Sequence, residues 1–294
     1  LKNALPNYQE LLQEIGSQNL LTHRGVLYVW IDPRQQPNPS QINIRSESGV
    51  EQIKLSGQEI RELEPSLSNQ IQGGWHFPKA HHTLDPDLIL KKLYQSYLSR
   101  GGQFQKEEVS TIHPSEDLIQ INNSQFDQVV VCTGAFSKSL VKQIEGHFIP
   151  LETERGYHIE FIEKQKLISR PTCLVESGMY LTPLHNRLRA VGTVELGGLH
   201  TKISQARINY IASDAKKLLP ALQDYQNPWL GFRPTLPDCL PVLGNSPKFK
   251  NIFYAFGHNH LGWTLGPTTG KLIRNLIIKD IPIDQTFHIS RFLK

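Results

Sequence analysis

The sequence predicts a mixed α/β fold in two structural units, and three observations carry that expectation. Val129-Val-Val-Cys132 is a continuous apolar run ended by Thr-Gly, the pattern of a buried strand entering a turn. Between Pro150 and Leu230 short strands are interrupted by one helical stretch, which predicts a mainly antiparallel sheet carrying a helix. Near the C-terminus, Asn251-Ile-Phe-Tyr-Ala-Phe256 reads as a buried strand that breaks into glycines and continues as an apolar helix.

The elements follow in order. Pro6 to Ile15 reads as a helix with Leu11, Leu12 and Ile15 on one face and Gly16 as its stop. Gly25 to Trp30 is a strand, and Asp32 to Ser40, rich in Pro, Gln and Asn, a loop. Ser56 and Glu59 form a capping box for a short helix ending before Pro65. Asp85-Pro86 opens a helix whose stripe is Leu90, Leu93, Tyr94, Tyr97 and Leu98, closed by Gly101. Strands are expected over 103–112, 118–122 and 127–132, the last buried on both faces. The later unit has strands at 158–162, 180–182 and 188–193 and a helix at 204–219. Pro267 is placed to open the final helix, with Leu272, Ile273, Leu276 and Ile277 at helical spacing.

Composition narrows the function classes. A chain of 294 residues has length for one large domain or two smaller ones, and 38% hydrophobic with 20% charged residues suits a soluble globular protein. The net charge of +4 comes from scattered lysines and arginines without aromatic interleaving, which argues against nucleic-acid binding. Cys132, Cys173 and Cys239 have no pair spacing and point to a reducing compartment. No apolar run approaches the roughly 20 residues of a membrane span.

The segment Gly257-His-Asn-His-Leu-Gly262-Trp-Thr-Leu-Gly266-Pro-Thr-Thr-Gly270 carries the most chemistry. A strand that ends in glycines before a helix leaves free backbone N–H groups, with the positive end of the helix dipole, for an anionic or electron-rich ligand. A plain glycine-rich connection between packed elements is the competing reading. Upstream lie Gly231-Phe-Arg233-Pro-Thr-Leu-Pro-Asp238-Cys-Leu-Pro-Val-Leu-Gly244, Leu63-Glu-Pro-Ser-Leu67, Gly73-Gly-Trp, Thr83-Leu-Asp85-Pro, Val129 to Ser137, Pro150 to His158 and Arg189 to Glu195. Taken in their order along the chain, they resemble the FAD-dependent D-amino-acid oxidase superfamily. The likeness is nearest to the bacterial D-amino-acid dehydrogenase small subunit and to glycine and sarcosine oxidases.

The resemblance implies an FAD-binding, Rossmann-like domain and a substrate domain with a mainly antiparallel sheet. Residues 86–147 and 233–294 resemble the remainder of the FAD domain, and residues 1–85 and 148–232 the substrate domain. The family begins with a βαβ unit carrying G-x-G-x-x-G. No such spacing occurs here, the chain begins at Leu1, and its one methionine is Met179. The expectation is a chain whose dinucleotide-binding start lies outside it, or is supplied by a second chain, without which it would be a fragment unable to hold FAD. A tRNA-modifying flavoprotein of the same superfamily is a third reading, which the scattered basic residues do little to support.

Arg233 can take a substrate carboxylate through two parallel hydrogen bonds, or pair with a structural acid such as Asp238. The resemblance favours the carboxylate. It also makes Tyr180, in Tyr-Leu-Thr-Pro183, the second carboxylate ligand, with Tyr157 and His158 lining the substrate side. Each of these three also reads as an ordinary strand residue. For the cofactor the resemblance implies Val109 at the adenine, and Thr133, Gly134 and Ala135 at the turn near FAD. Gly257, His258, His260, Leu261, Gly262 and Trp263 would lie near the flavin ring. Asn259 and Cys239 stand where the family usually has glycine, which makes the local turns less certain.

The implied reaction removes hydride from Cα of a D-amino acid or small amine to flavin N5, giving an imino acid that water hydrolyses. No dedicated protein base is needed. His81-His82 and His258/His260 lack the partners of a zinc site, and no metal is expected. A cytoplasmic protein is expected, and a quinone acceptor would imply peripheral contact with the inner face of the membrane.

Overall fold

The computed structural model describes residues 1–163 and 165–293. Along the chain run α1 (Ala4–Glu14), β1 (Leu21–His23), β2 (Val26–Trp30), α2 (Pro39–Glu47), β3 (Ile53–Ser56), α3 (Gly57–Leu63), β4 (Gly73–Phe77), β5 (His81–Thr83) and α4 (Pro86–Ser99). Then come β6 (Ile112–His113), β7 (Ile119–Ile121), β8 (Ser124–Phe126), β9 (Val129–Val131), α5 (Ser137–Glu145), β10 (Glu152–Ile162), β11 (Thr172–Leu174), β12 (Met179–Leu184) and β13 (Arg187–Glu195). Last are α6 (Gln205–Leu218), β14 (Gln226–Thr235), β15 (Val242–Asn245), β16 (Ile252–Phe256) and α7 (Gly262–Lys279). The fold is mixed α/β.

An eight-stranded sheet in the order β14-β10-β13-β12-β11-β2-β4-β3 dominates, antiparallel except for the β11–β2 pair. Strand alternation gives it two different faces. One face, with Leu27, Val29, Tyr157, Ile159, Phe161, Leu181, Leu188 and Ala190, is covered by Ile208, Ile211, Ala215 and Leu218 of α6. Burying each large side chain there contributes roughly 1.5–3 kcal/mol, so the register of this face is strongly specified. The opposite face is polar and aromatic, and it carries the site.

A second core joins β9, β15 and β16 to α5 through Val131, Leu140, Val141, Ile144, Tyr254 and Phe256. Glu145, fully buried at the end of α5, accepts hydrogen bonds from Ser246 and Tyr254, each at 2.6 Å. A third, small cluster of Tyr8, Leu12, Leu20 and Ile89 ties α1 to α4. Among the described residues no helix is long and apolar enough to cross a membrane.

The loop over 32–40 runs to Asn38, whose side chain accepts from Gln41 N at 2.9 Å and starts a helix, α2, that the sequence reading left unassigned. Three expectations change. No strand forms over 103–111, where the Asn122 side chain bonds Glu107, Glu108, Ser110 and Thr111 in place of a ladder. The α4 stripe faces outward: Ile89 is the buried residue, while Leu90 and Tyr97 are 54% and 51% exposed. Likewise β9 is buried only in part, with Val130 37% exposed.

The final helix also starts earlier than Pro267 suggests. It opens at Gly262, which puts Pro267 inside it, where the proline cannot donate to the Trp263 carbonyl four residues back. Tyr8 of α1 donates its hydroxyl to that carbonyl at 2.8 Å instead. A side chain from another helix thus satisfies the acceptor that the proline leaves open.

Candidate functional site

On the polar face of the large sheet one transverse row crosses all eight strands. It runs Trp229, His158, Val191, Tyr180, Cys173, Tyr28, Trp75, Lys54, each residue registered against the next. The His158 and Trp229 rings stack at 4.8 Å. Burial, reinforced by the Arg189 charge, pushes the His158 pKa down to about 4, so its imidazole is neutral at pH 7.

Arg233, on β14, stands opposite Glu154 of β10, and its guanidinium lies flat across Gly156. A Cβ at position 156 would come within 2.3 Å of Arg233 Nη2, so glycine is what admits the arginine there. Arg233 Nη1 donates to the Thr193 carbonyl over a long 3.4 Å, and no carboxylate among the described residues reaches salt-bridge distance. Asp238, the structural acid that could have claimed Arg233, pairs with Arg291 at 2.7 Å. Burial pushes the Arg233 pKa down while Glu154 acts the other way.

A cavity of about 840 Å³ opens over this face, bordered by Tyr180, Thr193, Trp229, Arg233, His260 and Trp263 among others. Tyr180 meets it with a partly buried phenol whose pKa is raised, chiefly by that burial. Two hydroxyls on its wall, Ser177 Oγ and Thr193 Oγ1, are buried without a hydrogen-bond partner among the described residues. Thr193 has φ of +61°, a costly conformation for a β-branched residue and the kind of strain that collects at binding sites.

The far wall is the start of α7. Asn259 N donates to the Pro234 carbonyl at 3.0 Å, which fastens the turn before α7 to the strand that carries Arg233. Asn259 and Cys239 both adopt positive φ, +54° and +58°, so each sits in a turn that would suit glycine. His258, its pKa lowered by burial, bonds Thr269 at 2.8 Å, and Trp263 donates to Thr83 at 3.0 Å. The N-terminus of α7 has no side-chain cap.

Of the residues singled out in the sequence, Arg233, Tyr180, His260, Gly262 and Trp263 therefore meet at one cavity. His158 shares the face and reaches the cavity through Trp229. Tyr157 borders it, yet its ring is buried in the opposite core and its hydroxyl donates to Glu195. Gly257, His258 and Leu261 form the turn behind Trp263. Thr133, Gly134 and Ala135 follow β9, and the neighbouring Phe136 packs on Phe232 of β14 at 5.9 Å. Val109 lies apart, 37% exposed in the irregular 103–111 segment. Sequence reasoning missed Tyr28, Ser177, Thr193 and Trp229; of these only Thr193 lies in a motif stretch singled out above, and nothing there marked it as a site residue.

The profile of the family described as FAD dependent oxidoreductase (DAO) matches residues 1–276. A D-amino-acid oxidase of Bradyrhizobium diazoefficiens is 29% identical, the match covering 100% of this chain and 72% of that protein. A D-amino acid dehydrogenase of Neisseria gonorrhoeae is 30% identical over 84% of this chain and 62% of its own length. The chain thus spans between 62% and 72% of these relatives. The fold superimposes on glycine oxidase from Geobacillus kaustophilus with a TM-score of 0.84 at 23% identity, covering 98% of this chain and 80% of that one.

Proposed function

The chain belongs to the DAO family of FAD-dependent oxidoreductases, and on that premise we propose that it serves the oxidation of the Cα–N bond of a D-amino acid or related small amine. The observation that carries this reading is Arg233: a half-buried guanidinium without an acid partner among the described residues, facing a cavity that Tyr180 also borders. Arg233 would take the substrate carboxylate through paired N–H donors, and the Tyr180 hydroxyl would donate a further hydrogen bond. Trp229 and Trp263 would exclude water from the reacting carbon, and the fixed carboxylate would hold Cα in one orientation.

The residues present fit the ring end of FAD. A Cβ added at Gly266 or Gly270 would meet nothing within 4 Å, and one at Gly262 would meet only His258, so the first turns of α7 leave a bare edge beside an uncapped helix start. Gly262, Trp263 and the turn from Gly257 would hold the ring there, with Thr133 to Ala135 and Val109 toward the rest of the cofactor. When bound, FAD supplies the hydride acceptor at N5. Residues for the pyrophosphate, a G-x-G-x-x-G or its equivalent, are not in this sequence.

A second reading concerns how that part is supplied: a βαβ segment or partner chain would complete the FAD site. It is favoured by β9, which pairs on one side with β16 and ends its sheet, and by the outward apolar face of α4. The domain division at 1–85 and 148–232 against 86–147 and 233–294 belongs to the same proposal, as does oxygen or a quinone as the final acceptor.

The test is the visible spectrum of the purified chain with excess FAD, before and after anaerobic D-alanine and glycine. A retained flavin band that bleaches with substrate supports the enzyme reading. Arg233→Met should then weaken substrate binding by roughly 2–5 kcal/mol, at least about 30-fold in KM. A band that D-amino acids and glycine leave unbleached would sink it. No retained flavin would favour completion by another segment.

A further inference from the structure

Two phenols meet on the transverse row. The Tyr28 and Tyr180 hydroxyls are 2.6 Å apart, their strands joined through β11, whose Cys173 is registered against both. Only one of the two can donate in that bond. The choice matters for an anion, because a carboxylate can only accept. If Tyr180 gives its proton to Tyr28, it turns lone pairs toward the ligand. If Tyr28 gives its proton to Tyr180, the Tyr180 proton is left for the ligand, with the Cys173 sulfur, a weaker acceptor than a carboxylate, as its one competitor among the described residues.

The surroundings of Tyr28 decide between these. The Arg45 guanidinium of α2 lies over the Tyr28 ring, 5.6 Å from its centroid, and over Phe77 at 5.3 Å. Arg45 forms no salt bridge among the described residues, and its Nη1 is buried without a hydrogen-bond partner. Its charge is therefore spent on the two aromatic faces. A cation over the π-face draws electron density from the ring and strengthens the phenolic O–H as a donor. Phe77 holds the Tyr28 ring edge-on at 5.0 Å, and the Tyr180 ring meets it at 82°. Burial disfavours the ionised form of Tyr180, so its phenol keeps its proton.

We propose that Tyr28, biased by Arg45, is a positioning residue that donates to Tyr180 and so leaves the Tyr180 proton directed at the substrate carboxylate. This rests on the reading of Arg233 and Tyr180 as carboxylate ligands. Tyr28 does not touch the substrate. It sets which way the second ligand's hydrogen points, and α2, whose Arg45 covers β2, five places along the sheet from the strand that carries Arg233, thereby acts on substrate affinity.

The test uses two readouts: KM and kcat for D-alanine with FAD bound, and the tryptophan fluorescence of the chain titrated with D-lactate, Trp229 and Trp263 being in the cavity wall. D-lactamide, which has no charge, is the control. Tyr28→Phe should raise the D-lactate Kd and the D-alanine KM about 5- to 10-fold, the worth of one ordinary hydrogen bond. The loss should fall on KM rather than kcat and leave D-lactamide binding unchanged. Arg45→Met should give a smaller loss of the same kind, about 3-fold, and Arg45→Lys should restore most of it.

Arg233→Met separates the two levels. If it abolishes D-lactate binding while Tyr28→Phe and Arg45→Met bind like wild type, the positioning role is wrong and the carboxylate site stands. If Arg233→Met binds D-lactate normally, both readings fall. Equal losses for D-lactate and D-lactamide in Tyr28→Phe, with a lowered Tm, would mean a packing role and would also overturn the proposal.

Discussion

A methyl group at position 156 would occupy space that the Arg233 guanidinium fills, and the clash would be with the far end of a flexible side chain. Arg233 can swing away at small cost to the fold, but it then leaves its place in the cavity wall. Gly156→Ala should therefore keep its Tm within a few degrees, a stability change of about 1 kcal/mol or less, while D-lactate affinity drops about 10-fold or more. A fluorescence titration beside a melting curve checks this, and unaltered D-lactate binding would show that the arginine does not act from where it lies. Arg233 and Tyr180 were legible in the sequence because short motifs surround them. Tyr28 was not: Gly-Val-Leu-Tyr-Val-Trp is an ordinary strand, and its partner hydroxyl is 152 residues away. Thr193 escaped for a related reason, since neither its positive φ nor its unpartnered hydroxyl follows from Val-Gly-Thr-Val.

At the scale of elements, the bond from Tyr8 to the Trp263 carbonyl couples α1 and α7 through a defect in α7. Removing the hydroxyl by Tyr8→Phe leaves that carbonyl unsatisfied and should cost about 1 kcal/mol. In a Pro267→Ala background the new amide N–H can take over, so the same Tyr8→Phe change should cost only a few tenths of a kcal/mol. Urea midpoints of the four proteins close this cycle, and equal costs in both backgrounds would mean the hydroxyl serves something else. The rule that proline opens helices placed the start of α7 five residues late, because a rescue from α1 lies outside any local window. Helix α2 went unassigned beyond Ser40 for the opposite reason. Its sequence, Pro-Ser-Gln-Ile-Asn-Ile-Arg-Ser-Glu, buries no residue and shows no apolar face to find. In the large sheet β2, β10, β12 and β13 were readable, because one face of each is buried and the alternation survives in the sequence, whereas β3, β4, β11 and β14, short or largely exposed, were not.

For the whole molecule, the periodicity of α4 identified a real stripe but could not say what the stripe faces. Leu90 and Leu98 are 54% and 40% exposed beside the exposed Tyr94 and Phe104. An apolar face of this kind drives association. Leu90→Lys with Leu98→Lys should leave the Tm nearly unchanged, since surface substitutions cost within about 0.5 kcal/mol. The pair should also reduce the self-association seen by sedimentation velocity as concentration rises. A large fall in Tm would place this face in the core instead. The parallel pairing of β2 with β11 has a consequence for how the molecule is made. A growing chain presents β2 with β4 on one side and an unfilled edge on the other until residues 172–174 leave the ribosome. At roughly 5–20 residues per second that edge stays open for several seconds or more. Tyr28 and Tyr180 can meet only after it closes, which makes the face beneath the cavity one of the last surfaces to mature during synthesis.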